Sequence, residues 1–222
     1  MSEITLYFHW SDPKALRLRL LLGAKGVPYL AEPRPLQDLE TAFDLGFSQL
    51  PLLHFGERIY SAAFEDLWTL ALLLPGKPLA AIPDAEWQAF CRWRGDFSAL
   101  LERLVIPVQP AFAEISDDPD DLAFFRSQAE RRLGQSLEAL ANDRYGAYQQ
   151  LERQGNLRQL AKIIGKERYY LGTLSLIDLI LTADFQLLRL LDGVTLPLDL
   201  QYYFQRVADH CQVALNAGIR NG

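Results

Sequence analysis

The hydrophobic pattern of this 222-residue chain changes period once, near residue 75, and that change limits the folds open to it. Before it, short β-rich runs alternate with helical patterns. Ile4 to Phe8 (ITLYF) reads as a strand. Pro13 to Lys25 follows with Leu16, Leu20 and Gly23 on one helical face, which predicts an amphipathic helix. Pro13 suits its first turn, Ser11 or Asp12 its N-cap, and Gly26 its stop. Val27-Pro28-Tyr29-Leu30 opens a second extended segment, and a second helix is expected over Leu36 to Asp44. Pro51 to His54 and Glu57 to Tyr60 flank Phe55-Gly56 as a hairpin. Ser61 is placed to cap a third helix that runs through Trp68 to Leu74 and stops at Pro75-Gly76-Lys77-Pro78. The order is β-α-β-α-β-β-α.

From Asp84 onward only helical spacing remains. Trp87, Phe90, Arg94, Phe97, Leu101, Leu104 and Val105 predict one long helix, and Leu122, Phe125, Ala129, Leu133 and Leu140 a second. Leu157 to Ile164, Ser175 to Leu191 and Leu198 to Leu215 complete a bundle. The expected architecture is an α/β domain over residues 1–75, a linker over 76–84 and an all-helical domain over 85–222.

Composition narrows function by exclusion. Half the residues are hydrophobic, 23% are charged and the net charge is −6. Neutralising phosphates requires surplus Lys and Arg, so direct nucleic-acid binding is not expected. No apolar run approaches a membrane span, and the N-terminus lacks signal-peptide character, so a cytoplasmic protein is expected. Cys91 and Cys211 lie far apart and match no metal or C-x-x-C spacing, and His9, His54 and His210 are scattered; no metal site is expected.

With these residues in this order, the chain resembles the glutathione S-transferase superfamily, whose first domain is thioredoxin-like. Gln49-Leu50-Pro51-Leu52 sits where the family carries a cis-proline before its third strand, and Ser175-Leu176-Ile177-Asp178 is similar to its capping box. Gly76-Lys77-Pro78-Leu79, Glu86-Trp87 and Phe112 to Ser116 are similar to the two-domain bacterial glutaredoxins. The resemblance implies glutathione as ligand or substrate. It places Leu50, before Pro51, where backbone groups receive the cysteine portion of glutathione like an added strand.

The residues depart from that pattern at two points. Asp12-Pro13-Lys14-Ala15 stands where those glutaredoxins carry Cys-Pro-x-Cys, and without a thiolate there is no dithiol exchange. A transferase uses glutathione's own thiol and needs a donor or positive end beside it. Ser11 and Tyr7 carry hydroxyls for that role, and the helix start and Lys14 add positive character. Asp12, when ionised, opposes it. Capping by Ser11 and Asp12, packing of Tyr7 and a solvated Lys14 explain the same residues structurally. At the glutathione carboxylate and amine, the resemblance places Glu-Ser or Gln-Ser; here Ala63-Phe64 fall there, with Ser61 and Glu65 as nearby substitutes or ordinary helix-start residues.

Trp10 is a candidate to line an acceptor site or to pack against the second domain, and Arg92, Arg94, Arg131 and Arg132 a basic patch or a solvated face. Two functions stay open. One is a glutathione S-transferase-like protein acting on a small electrophile. The other is a non-catalytic adaptor working through a protein partner, similar to the superfamily's stringent-starvation regulators. The oligomeric state is left open.

Overall fold

The computed structural model describes residues 4–220. The N-terminal part contains β1 (Ile4–Phe8), α1 (Pro13–Lys25), β2 (Leu30–Pro33), α2 (Glu40–Asp44), β3 (Leu52–Phe55), β4 (Arg58–Tyr60) and α3 (Phe64–Leu73). The sheet order is β2-β1-β3-β4, with β1 parallel to β2 and antiparallel to β3. Alternation along β1 buries Ile4, Leu6 and Phe8. Leu6 pairs with Ala31 on one side and Leu53 on the other, which fixes the register of the central strands.

The second part contains α4 (Asp84–Gly95), α5 (Ser98–Val105), α6 (Ala113–Ser116), α7 (Pro119–Leu133), α8 (Leu137–Asn142), α9 (Arg144–Gly155), α10 (Leu157–Glu167), α11 (Leu176–Phe185) and α12 (Leu198–Cys211). This is the thioredoxin-like domain plus all-helical bundle of the glutathione S-transferase fold. No helix among the described residues is long and apolar enough to cross a membrane.

α1 starts and stops as its residues dictate. Asp12 Oδ1 accepts the Lys14 N–H at 2.8 Å, Pro13 occupies the first turn, and Gly26 closes the helix at φ 68°. It is buried on nearly every face, however, rather than amphipathic. The sheet lies on one side and α11 and α12 on the other, and Leu18, Leu20, Leu21 and Leu22 are sealed from solvent. Burying each such leucine contributes about 1.5–3 kcal/mol. Gly23 lets α12 approach: a Cβ there would stand 2.0 Å from the Cys211 carbonyl oxygen.

α11 is buried over all ten residues. Ser175 and Asp178 form its capping box, and Asp178 also accepts the Tyr170 N–H and the Tyr203 O–H, each at 2.7 Å. Two helices expected as single runs are broken. Phe97 separates α4 from α5, and Gly134, in the left-handed region, separates α7 from α8. α2 is shorter than expected, beginning at Glu40 after a turn around Pro35. The run expected over Ser175 to Leu191 tightens into a 3-10 turn after Phe185, and α12 ends at Cys211. α9 carries no strong apolar stripe and was not predicted.

Candidate interdomain cleft

A cleft of about 700 Å³ opens between the two parts at the N-terminus of α1. From the first part it is lined by His9, Ser11, Asp12, Pro13, Lys14 and Arg17, by Asp38, Leu39 and Ala42 of the α2 region, and by Ser48, Gln49 and Leu50. The second part contributes Arg94, Leu101, Glu102, Val105, Gln109, Phe125, Arg131, Arg132 and Asp184 among others. Ser11, Asp12, Lys14 and Leu50 are thus brought together. Tyr7, Trp10, Ser61, Ala63 and Phe64 do not line the cleft.

The loop entering α1 is held from the helical part. Glu114 of α6 accepts the Trp10 N–H at 2.8 Å on one oxygen and the Ser11 N–H at 2.7 Å on the other. Gln109 Nε2 donates to the Ser11 carbonyl at 2.8 Å. Both backbone directions of the loop are therefore fixed by side chains about a hundred positions away. Burial pushes the Asp12 carboxyl above its ordinary range, opposed by Lys14, its own hydrogen bond, Arg17 and His9. That shift favours the protonated form, which donates a hydrogen bond where the carboxylate only accepts.

Across the cleft the Leu50–Pro51 bond is cis. Among the described residues neither the N–H nor the carbonyl of Leu50 makes a hydrogen bond, because β3 begins only at Leu52. A bare donor and acceptor beside a sheet suit an extended ligand that adds backbone pairing.

Beneath this, Asp184 of α11 binds two arginines. Arg17 reaches its Oδ1 through Nε at 2.7 Å and Nη2 at 2.6 Å, while Arg94 Nε reaches Oδ2 at 2.6 Å. Arg17 Nη1 also donates to the Ala62 carbonyl, and its guanidinium lies 5.2 Å over the Phe64 ring. Sequence reasoning missed this cluster. Arg17 on a buried helix signals a carboxylate partner, but nothing local marks a partner 167 positions on. Glu114 was visible only as part of a resembling stretch.

The remaining candidates have structural surroundings. Phe64 packs against Trp87 and Phe90. Ser61 Oγ donates to Asp66 and accepts the Ala63 N–H, closing the start of α3. Tyr7 packs beside Ala42, Leu50 and Leu52 under Arg34. Trp10 sits edge-on to Phe8, beneath Arg19 at 4.5 Å, and against Gly218, where a Cβ would meet the ring-bearing carbon at 2.6 Å. Of the four patch arginines, Arg94, Arg131 and Arg132 line the cleft and Arg92 does not. Neither cysteine lines it. Cys91 is half-buried with its thiol pushed up by burial, and Cys211 is buried with its pKa pushed up to about 12. No cluster of metal-ligating side chains occurs among the described residues.

A four-stranded thioredoxin-like sheet, a helical bundle and a cleft at the first helix's N-terminus define a protein with the glutathione S-transferase fold. The family model for the C-terminal domain of glutaredoxin 2 matches residues 89–218, more than half of the chain, and the chain belongs to that family. It is 26% identical to glutaredoxin 2 of Escherichia coli K12 over 213 residues, covering 95% of this chain and 96% of the relative. Its fold is similar to that of Salmonella typhimurium glutaredoxin 2 in complex with glutathione, with a TM-score of 0.79, 22% identity and 98% of each chain covered. A glutathione S-transferase of Ceriporiopsis subvermispora in complex with glutathione aligns with a TM-score of 0.70 and 18% identity, over 95% of this chain and 96% of that one.

Proposed function

We propose that this protein binds glutathione in the interdomain cleft and uses the ligand's own thiol on a small electrophile, without dithiol exchange. The observation that carries the reading is the pairing of Leu50, whose backbone donor and acceptor are unfilled, with Ser11, Asp12 and Lys14 on the same cleft. Leu50 receives the cysteinyl backbone of the tripeptide. The α1 N-terminus and Lys14 then lie on the side of its sulfur and favour the thiolate. Protonated Asp12 donates to that sulfur, and ionised Asp12 raises its pKa. The glutathione complexes of the Salmonella and Ceriporiopsis proteins support the ligand class.

The γ-glutamyl end is handled differently from the superfamily pattern. Ser61 is engaged with Asp66, and Phe64 is packed under Arg17. Losing two charge-assisted hydrogen bonds there is expected to weaken binding by about a hundredfold or more.

The test is calorimetric titration with reduced glutathione up to several millimolar. Saturable binding that is weakened by Leu50→Pro, which removes the N–H donor, supports the reading. No heat and no thermal stabilisation contradict it. One observation favours the second reading, a non-catalytic adaptor: Leu39 and Phe43 at the α2 side of the cleft are 67% and 79% exposed. A protein that ignores glutathione but retains a partner through Phe43 fits that reading.

A further inference from the structure

We propose that α2 is a docking face for an amphipathic helix of a partner protein, one whose apolar row is bordered by Lys or Arg. The proposal goes beyond the glutathione reading and does not depend on it. It gives the adaptor reading a partner of stated chemistry.

α2 places its small side chain inward and its large ones outward. Ala42 is buried, and it packs with Leu45, Leu50, Leu52 and Ile59. Leu39 and Phe43, one helical turn apart, are 67% and 79% exposed, and Phe47 in the turn that follows is 36% exposed. The helix start is held by Asp38, whose carboxylate accepts the Thr41 N–H at 3.0 Å and the Thr41 O–H at 2.6 Å. The face is therefore formed before a partner arrives, which lowers the ordering cost of binding.

Charge selects the partner. Between Gly26 and Glu57 the chain carries Glu32, Asp38, Glu40, Asp44 and Glu57 against Arg34 alone. Arg34 is occupied: it lies over the Tyr7 ring, 3.3 Å from Glu32 and 4.0 Å from Asp38. Glu40 and Asp44 stand on either side of Phe43 along the helix. Both are exposed, and among the described residues neither carboxylate has an ion pair or a hydrogen bond. The acidity continues into the neighbouring helix. Gln37 Nε2 donates to Asp121 at 3.0 Å, and Asp118 and Asp120 are exposed at the same end of α7. Unpaired carboxylates around an exposed apolar row complement cations around an apolar row, and they repel an acidic helix.

The sheet edge beside α2 disfavours a partner that adds a strand. β2 is an edge strand, but Pro33 within it and Pro28 and Pro35 around it have no N–H to offer. A helix that packs its side chains around Phe43 needs no backbone donor.

The test is fluorescence anisotropy of three labelled peptides of equal length with the full chain, without glutathione. One is an amphipathic helix of leucine and lysine, one has the same residues in scrambled order, and one is the helix with glutamate in place of lysine. The first is expected to bind about tenfold more tightly than either control. Phe43→Ser is expected to lower its affinity about tenfold, and Glu40→Gln with Asp44→Asn about threefold at low salt. Leu72→Ser, at an exposed apolar position on α3, is expected to leave binding unchanged. All these positions are exposed, and matching thermal melts verify that the variants keep the fold. Absence of binding, equal binding of the ordered and scrambled peptides, or equal losses in Phe43→Ser and Leu72→Ser overturns the proposal. Self-association in sedimentation that Phe43→Ser abolishes also overturns it, because a second copy then fills the face. Binding of the glutamate helix through Phe43 overturns the charge assignment while leaving the adaptor reading standing. Because no glutathione is present, each failure is distinct from failure to bind the tripeptide.

Discussion

Glu114 accepts the backbone N–H of Ser11 at 2.7 Å, so a carboxylate of the helical part sets the path of the loop that opens α1. Its other oxygen takes the Trp10 N–H. Glu114→Gln retains one acceptor and turns an amide N–H toward the second donor. Leaving one buried donor unmet is expected to cost about 1–3 kcal/mol in urea unfolding, and Glu114→Ala more. Unchanged stability in both variants contradicts the role assigned to this pair.

Asp184 and Arg94 offer an asymmetric comparison. Asp184→Ala leaves Arg17 and Arg94 facing each other without a counter-charge and is expected to cost about 3–5 kcal/mol. Arg94→Met leaves the Arg17–Asp184 pair intact and is expected to cost clearly less. Equal losses in chemical denaturation contradict the view that Asp184 is the shared counter-charge of both arginines.

Gly23 answers to packing alone. Gly23→Ala drives a methyl group into the Cys211 carbonyl and is expected to destabilise by about 1–3 kcal/mol, although alanine is the better helix former. A stability gain shows that α1 and α12 do not approach so closely.

Asp12 makes stability depend on pH. In the unfolded chain it titrates near its ordinary value of 3.8; burial raises that value in the folded chain, which holds its proton over the window between. Its contribution is therefore full below the ordinary value and is lost as the pH rises through the raised one. Asp12→Asn keeps the cap to Lys14 and removes the titration. Its advantage over the wild type is expected to be smallest at acid pH and to grow toward neutrality, read from melting temperatures across that range. A pH-independent difference contradicts the assignment.

Elements whose signals are local were legible in the sequence. Asp12-Pro13 at the start of α1, Gly26 at its end, the Ser175–Asp178 box and the β3–β4 hairpin each carry their chemistry within a few residues. The break at Phe97 was not legible, because the apolar spacing continues across it while the backbone turns. The cleft was half legible. Ser11, Asp12, Lys14 and Leu50 come from two short segments, whereas Gln109, Arg94 and Asp184 reach it, and Glu114 holds its entry loop, only through the packing of the second part on the first. Phe64 and Trp10 show the limit of position-based reasoning: both fall beside the site in sequence, and both are absorbed into aromatic packing.

The most direct test of glutathione binding is amide chemical-shift mapping of the labelled protein during titration with reduced glutathione. Saturable shifts concentrated at the amides of Leu50, Ser11, Asp12 and Lys14 are the predicted result, and those at Ser11, Asp12 and Lys14 are expected to weaken in Leu50→Pro. Absence of saturable shifts at millimolar ligand, or shifts confined to surfaces away from the cleft, contradicts the account.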